Sequence, residues 1–362
     1  KVTHNYVQDD VHDFAWTADK RYAKPMTQVW NGPNGPVQVS VLYTPEYASN
    51  AKPVLQATID SLKYFSDTLG GYPYKSATAV IPPYGADEAG GMEYPTFFTA
   101  DSTAQDEPGT PGRFALDFVT VHEFGHGYFM GLLASNEFEE PFLDEGLNDW
   151  VDDRMLKEGP LLQVKAPPLA AFLGLEIPPL AYSTQSVGGG TPRYPTDPIG
   201  APSWGRWSTG SYGQVYSRTL VVMHDLSVLV GPEVTARALK AYYARWHHRH
   251  PSAADFKEAF VEAGADRAVV ELWFEQQVYA AASVDDRVEK LATEDALPPL
   301  GSEVADGGRV ALEEEARDEQ VAAVKKAFKQ EHPDAGKDDP GPYPCRSTVA
   351  VRRYGAGVPR TV

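Results

Sequence analysis

Residues 120–127 read TVHEFGHG, with histidines four positions apart and a glutamate directly after the first. On a helix, positions i and i+4 share one face a single turn apart. His122 and His126 can therefore aim two imidazole nitrogens at one ion, while Glu123 lies beside that ion rather than on it. This is the spacing of an H-E-x-x-H metal helix with an adjacent general base.

A second stretch supplies the missing ligand. Further on the chain reads FLDEGLNDW, residues 142–150, in which Glu145 is separated from His126 by eighteen residues. A catalytic zinc site takes three protein ligands and leaves one position open. His122, His126 and Glu145 make such a set, provided that the second helix returns antiparallel to the first. Asp149 is one turn beyond Glu145 and is expected to accept the outer N–H of a ligand histidine. Asp144, beside Glu145, is expected to act near the ligands or as a helix cap. Burying two histidines and two glutamates without an ion would be costly, which favours a metal over a polar cluster.

The rest of the chain sets the frame. It has 362 residues, 42% hydrophobic and 23% charged, with a formal net charge of -18. That composition suits a soluble globular protein, and the acidic surface disfavours nucleic acid and anionic lipid. No apolar run is long enough to span a bilayer. The single cysteine, Cys345, permits no internal disulfide.

Short alternating runs such as VQVSVLY, residues 37–43, predict strands within residues 1–45. Helical spacing predicts helices over 51–69, 112–133, 143–157, 211–230, 232–249, 252–264 and 266–283, the last but one opened by Ser252 as N-cap. Residues 159–210, rich in Pro, Gly and Ser, read as a long loop. Residues 302–340 read as a solvated segment with a helical centre. The tail STVAVRRYGAGVPRTV, 347–362, alternates like a strand. The expected organisation is a β edge of a preceding domain at 1–45 and a catalytic domain at 46–285. A charged, partly helical extension follows at 286–345, and a further β region begins at 346–362. The fold class is α+β, with helices dominating the second half.

Three motifs together resemble the gluzincin aminopeptidases, the zinc family of aminopeptidase N and the leukotriene-hydrolysing enzymes. They are GGMEYP at 90–95, HEFGH at 122–126 with LDEG at 143–146, and SYGQVYSRTL at 211–220. The resemblance covers most of residues 1–285. It implies a thermolysin-like catalytic domain with a small mixed sheet, one Zn2+ ion, and peptide substrates with a free amino terminus. It implies that Glu93, carried with Gly90, Gly91 and Met92, binds the substrate's α-amine, and that Tyr212 hydrogen-bonds the oxyanion. Tyr216 is a neighbouring aromatic. Members with this form of motif are often bacterial and exported, so an extracytoplasmic site is the expectation. Tyr94 stands where the family usually has Asn, Asp144 precedes the metal glutamate in place of the commoner Asn, and GHGYF follows where many members have His-Gln-Trp. These changes bear on the shape of the pocket. A thermolysin-like endopeptidase and a non-catalytic zinc-stabilised module are the competing readings.

Overall fold

In a computed structural model of the chain, the described residues are 3–158, 172–173, 197–207, 209–282, 286–297, 299–305, 307–336 and 341–355. Most of the expected loop 159–210 lies outside them. The chain divides into two compact units, residues 1–281 and 282–361.

The first unit is built on a four-stranded mixed sheet. Strands β1 (Met26–Gly32) and β2 (Gly35–Leu42) form an antiparallel hairpin. Strand β2 then pairs in parallel with β3 (Ser76–Val80), and β3 in parallel with β4 (Phe97–Thr99). Alternation along β2 buries Val37, Val39 and Val41 on one face. A parallel pair needs a crossover, and helix α1 (Ala51–Thr68) supplies it. The sheet thus begins at residue 26 and runs continuously into the residues that follow 45. No strand is found in the described residues before it.

Helix α2 (Pro111–Tyr128) carries the HEFGH stretch. It opens at Thr110, whose hydroxyl accepts from the Arg113 backbone N–H at 3.2 Å, with Pro111 preset for the first turn. It ends in a wider turn, Phe129–Leu133, closed by left-handed Ala134. The chain returns as helix α3 (Glu145–Glu158). After a helical turn at Thr209–Tyr212 come α4 (Gln214–Val230), α5 (Pro232–Trp246), α6 (Ala253–Glu262) and α7 (Arg267–Trp273). The Asp255 carboxylate accepts from the Ser252 backbone N–H at 2.9 Å, closing the expected cap of α6. No single helix among the described residues is long and apolar enough to cross a membrane.

Two glycines set the helix contacts that the metal motif needs. A Cβ on Gly125 would stand 2.0 Å from Asn148 Oδ1 and 2.6 Å from Phe65 Cζ. One on Gly146 would stand 2.5 Å from both Thr219 Oγ1 and the Val215 carbonyl. The first lets α2 meet α1 and α3; the second lets α3 meet α4. A side chain at either position would push Glu145 away from the histidines.

The second unit differs from the sequence expectation. Residues 286–345 contain strands as well as the expected helix. Strand β5 (Asp286–Asp295) pairs antiparallel with β8 (Cys345–Arg353), and β6 (Ser302–Ala305) pairs with β7 (Gly308–Ala311). Helix α8 (Glu314–Glu331) lies between β7 and β8 in sequence. The expected tail strand therefore pairs back onto residue 286. Charged residues on both faces of β5 hid its periodicity.

Candidate metal centre

The antiparallel return of α3 brings the three proposed ligands together. His122 Nε2 and His126 Nε2 are 3.0 Å apart. Glu145 Oε2 is 3.4 Å from the first and 3.1 Å from the second. Ligand atoms about 2.0–2.1 Å from a tetrahedral zinc ion stand about 3.3 Å apart. The triangle has that size.

The outer ring atoms decide what fills it. His122 Nδ1 lies 2.9 Å from Asp152 Oδ2, and His126 Nδ1 lies 2.6 Å from Asp144 Oδ1. A carboxylate on each Nδ1–H leaves both Nε2 lone pairs facing inward, toward each other. Glu145 Oε2 is buried and has no hydrogen-bond partner. With both imidazoles neutral, two facing lone pairs and the buried Glu145 oxygen beside them make the donor set of a cation, so the residues fit a zinc ion.

Asp152 is the residue that sequence reasoning missed. Asp149, expected in that place, stands farther from His122 Nδ1, at 3.5 Å. One more turn of α3 carries Asp152 squarely against the ring. Its i+7 spacing from Glu145 on the same helical face was the available signal. Asp144 takes the second histidine rather than capping α3 with its side chain. Asn148, fully buried, donates to the His122 carbonyl at 2.7 Å and ties α3 to the metal helix. Phe118 stacks on the His122 ring from the turn below, with centroids 5.5 Å apart.

Burial works against charging His122, and the Asp152 and Glu145 carboxylates outweigh it, raising its pKa to about 10. Burial likewise opposes a charged Glu145 carboxylate, and the two histidines overcome it and hold it well below its usual range. Glu123 behaves differently. Burial raises it to about 7, the region where a carboxylate can take and return a proton.

The GGMEYP segment lies along the end of the sheet. Gly91, at φ +68, donates its N–H to the Thr99 carbonyl at 3.0 Å, and Met92 bridges Thr99. A Cβ on Gly91 would come within 3.5 Å of Glu123 Oε1. Glu93 follows, with a carboxylate oxygen within 4.8 Å of ligand atoms on His126 and Asp144. Gly90 precedes this turn in partly exposed chain. Beside Glu123 a recess opens, lined by Tyr72, Tyr94, Phe97, Phe98 and Phe124.

On the far side, Tyr216 of α4 donates its hydroxyl to Glu145 Oε1 at 2.5 Å. Tyr212, the tyrosine singled out in the sequence, packs edge-on against Tyr216 with centroids 6.0 Å apart. The Arg206 guanidinium lies over its ring. The crowded histidines near 247–250 take no part: among the described residues they join no metal-ligating group, and His250 Nδ1 bonds the Ala134 carbonyl.

No protein-family model matches the chain, and no curated protein matches it. Solved structures do match. One is an M1 zinc metallopeptidase from Deinococcus radiodurans, 17% identical, covering 71% of this chain and 51% of its own, at a TM-score of 0.50. Another is a two-domain M1 zinc metallopeptidase mutant bound to L-tryptophan, 16% identical, covering 70% and 52%, at a TM-score of 0.50. The chain thus spans about half the length of these proteins. Across the part that they share, the fold of this chain is that of the M1 zinc metallopeptidases.

Proposed function

We propose that the protein is a zinc-dependent aminopeptidase that removes the amino-terminal residue of peptides. The observation that carries this reading is the position of Glu93, with a carboxylate oxygen within 4.8 Å of a ring nitrogen of His126 and a carboxylate oxygen of Asp144. A peptide whose scissile carbonyl lies at the His122–His126–Glu145 triangle then brings its α-ammonium to that carboxylate. An internal peptide bond offers only an uncharged amide there, which leaves the Glu93 charge unpaired. That argues against the endopeptidase reading.

A zinc ion, when bound, supplies Lewis acidity toward the carbonyl and acidifies water. Glu123 accepts the proton of the attacking water and returns it to the leaving amine. Gly91 keeps the backbone close to Glu123 without a side chain in the way. A tyrosine hydroxyl donates to the oxygen that gains negative charge. Tyr212 is the proposed donor, since the one hydroxyl proton of Tyr216 is already given to Glu145 Oε1. Tyr216 then orients the Glu145 carboxylate and packs edge-on against Tyr212. Asp152 and Asp144 hold the imidazoles in one tautomer.

The deciding experiment is hydrolysis of aminoacyl amides against their N-acetylated forms, before and after chelation and zinc add-back. Cleavage of the free-amine forms alone, restored by zinc, is the expected result; cleavage of blocked peptides would turn the reading to an endopeptidase. Glu123→Gln is expected to keep zinc and lose turnover by about 100-fold or more. Retention of turnover in that variant would point to a different base, and inertness of the zinc-loaded wild type would leave a non-catalytic module.

A further inference from the structure

Tyr212 stands on the single helical turn Thr209–Tyr212 ahead of α4, whereas Tyr216 is seated within α4 itself. One isolated turn has little stability of its own, so something else must fix the Tyr212 ring. The residues before it supply the hold. Arg206 is half-buried, and its Nη2 donates to the Ile199 and Ala201 carbonyls at 2.8 and 2.7 Å. Its Nη1 donates to the Ser211 carbonyl at 3.4 Å. One guanidinium thus ties a turn at 199–201 to the residue next to Tyr212. That turn is itself anchored: Ile199 is buried, and the Gly200 N–H donates to the Val278 carbonyl at 3.0 Å. Asp197 completes the bracket. Its carboxylate accepts from the Trp207 N–H at 2.9 Å and from the Ser211 hydroxyl.

The Arg206 guanidinium also lies over the Tyr212 ring, 5.9 Å from its centroid, and the same ring meets Tyr216 edge-on. That distance is at the outer limit of a cation–π contact, so the attraction is small and the contact acts mainly on orientation. A planar fork with fixed donor directions suits that task. Arg206 Nε is buried without a partner, and among the described residues no carboxylate forms an ion pair with this guanidinium. Half-burying a charge in that way costs stability, and such costs are met where function requires a geometry.

We propose that Arg206 is a positioning residue for the reaction. It clamps the turn that carries Tyr212 and so holds the phenol hydroxyl toward the oxygen that gains negative charge. This rests on the aminopeptidase reading and adds to it the group that orients its tyrosine. Displacing a reacting group by about 1 Å can cost about 100-fold in rate, so a residue that acts only through Tyr212 still governs turnover.

The test uses the zinc-loaded protein with leucine anilide as substrate and two ligands, leucine and its 1-aminophosphonic acid analogue. The tetrahedral phosphonate oxygens stand in for the oxygen that gains charge. Arg206→Gln is expected to lower kcat by about 10- to 100-fold, less than the roughly 100- to 1000-fold of deleting an oxyanion donor. KM and zinc content should stay as they are. Phosphonate binding, read by calorimetry, should weaken by a similar factor while leucine binding is unchanged. Arg206→Lys keeps the charge without the planar fork and should recover little of either. The deciding comparison is made in Tyr212→Phe. There Arg206→Gln should cost nothing further, because the hydroxyl through which it acts is already gone. Additive losses would overturn the proposal. So would full recovery in Arg206→Lys, or a lower Tm with kcat unchanged, which would leave Arg206 a structural clamp only. If wild type cleaves no anilide, the aminopeptidase reading fails and phosphonate binding still decides. A loss in Arg206→Gln that disappears in the Tyr212→Phe background would sustain the placement, and equal binding by wild type and Arg206→Gln would overturn it.

Discussion

Helices α3 and α8 look alike as sequence and have opposite fates. One reads EGLNDWVDDRMLKE and the other EEARDEQVAAVKKAFKQE. Both are rich in charge, and neither shows a broad apolar stripe. Yet α3 buries Asp149, Asp152 and Asp153 at 1% exposure or less, whereas Val321 is the one buried residue of α8. The difference lies in what each helix faces. Asp152 meets His122, and Asp153 meets both His224 and Lys157. On α8 the acids face water or a neighbour on the same helix, as in the Arg317–Glu314 pair. Charge is carried into the interior where a partner of the opposite sign waits, and stays outside where none does.

The largest expected effect on this contrast comes from removing the ion. Chelation should lower the Tm of the first unit, by about 4 kcal/mol of lost stabilisation if zinc is held at about a thousand times its Kd. Differential scanning calorimetry with and without zinc checks this; an unchanged thermogram would mean that the α3 acids are neutralised without a metal. Next, Asp152→Ala should weaken zinc binding about 10- to 100-fold, read by competition with a chromophoric chelator. Asp318→Ala on α8 should change neither zinc affinity nor Tm. A zinc loss confined to Asp149→Ala would restore Asp149 to the place that the sequence suggested.

The pH dependence of the metal-free protein sharpens the same contrast. His122 has its folded pKa raised to about 10, from an ordinary 6.5. The stability that it contributes is fully present below about 6.5 and is lost as pH rises toward about 10. In chelator, Tm should therefore fall across that window. With zinc the fall should shrink, because ligand histidines are already unprotonated. A metal-free Tm flat over that window would break the link between the buried acids and the imidazoles.

The smallest effects test packing. Gly125→Ala gains helix propensity but drives a methyl into Asn148 and Phe65, so a net loss of about 1–2 kcal/mol is expected in denaturant unfolding. On exposed α8, Ala323→Gly should cost about 1 kcal/mol through propensity alone. If Gly125→Ala proved stabilising, the close approach of α2 and α3 would not be what seats Glu145.

Much of the site is legible in the amino-acid sequence. The i, i+4 histidines, the adjacent Glu123 and the downstream Glu145 are readable from motif spacing, and the structure brings His122, His126 and Glu145 within one triangle. The helices that flank them are also readable, because their apolar spacing is strong. Asp152 is harder, because the choice between Asp149 and Asp152 depends on the rotation of α3 about its axis. That rotation is set by Gly125 and Gly146 against Asn148, Phe65 and Thr219. The two tyrosines pose the same difficulty, since only the seating of α4 on Gly146 shows which hydroxyl reaches Glu145. Strand β5 is hidden because a strand with charge on both faces carries no period-two signal.

The sequence by itself named the candidates, the atoms proposed to hold an ion and the carboxylate proposed to move a proton, and placed both on helices. Periodicity and ligand type are local properties, so each segment carries them whatever it packs against. Tertiary structure alone decided which carboxylate answers each imidazole and which tyrosine stands at Glu145. Those outcomes depend on helix rotation and close approach between segments distant in the chain, and no local pattern encodes an angle between two helices.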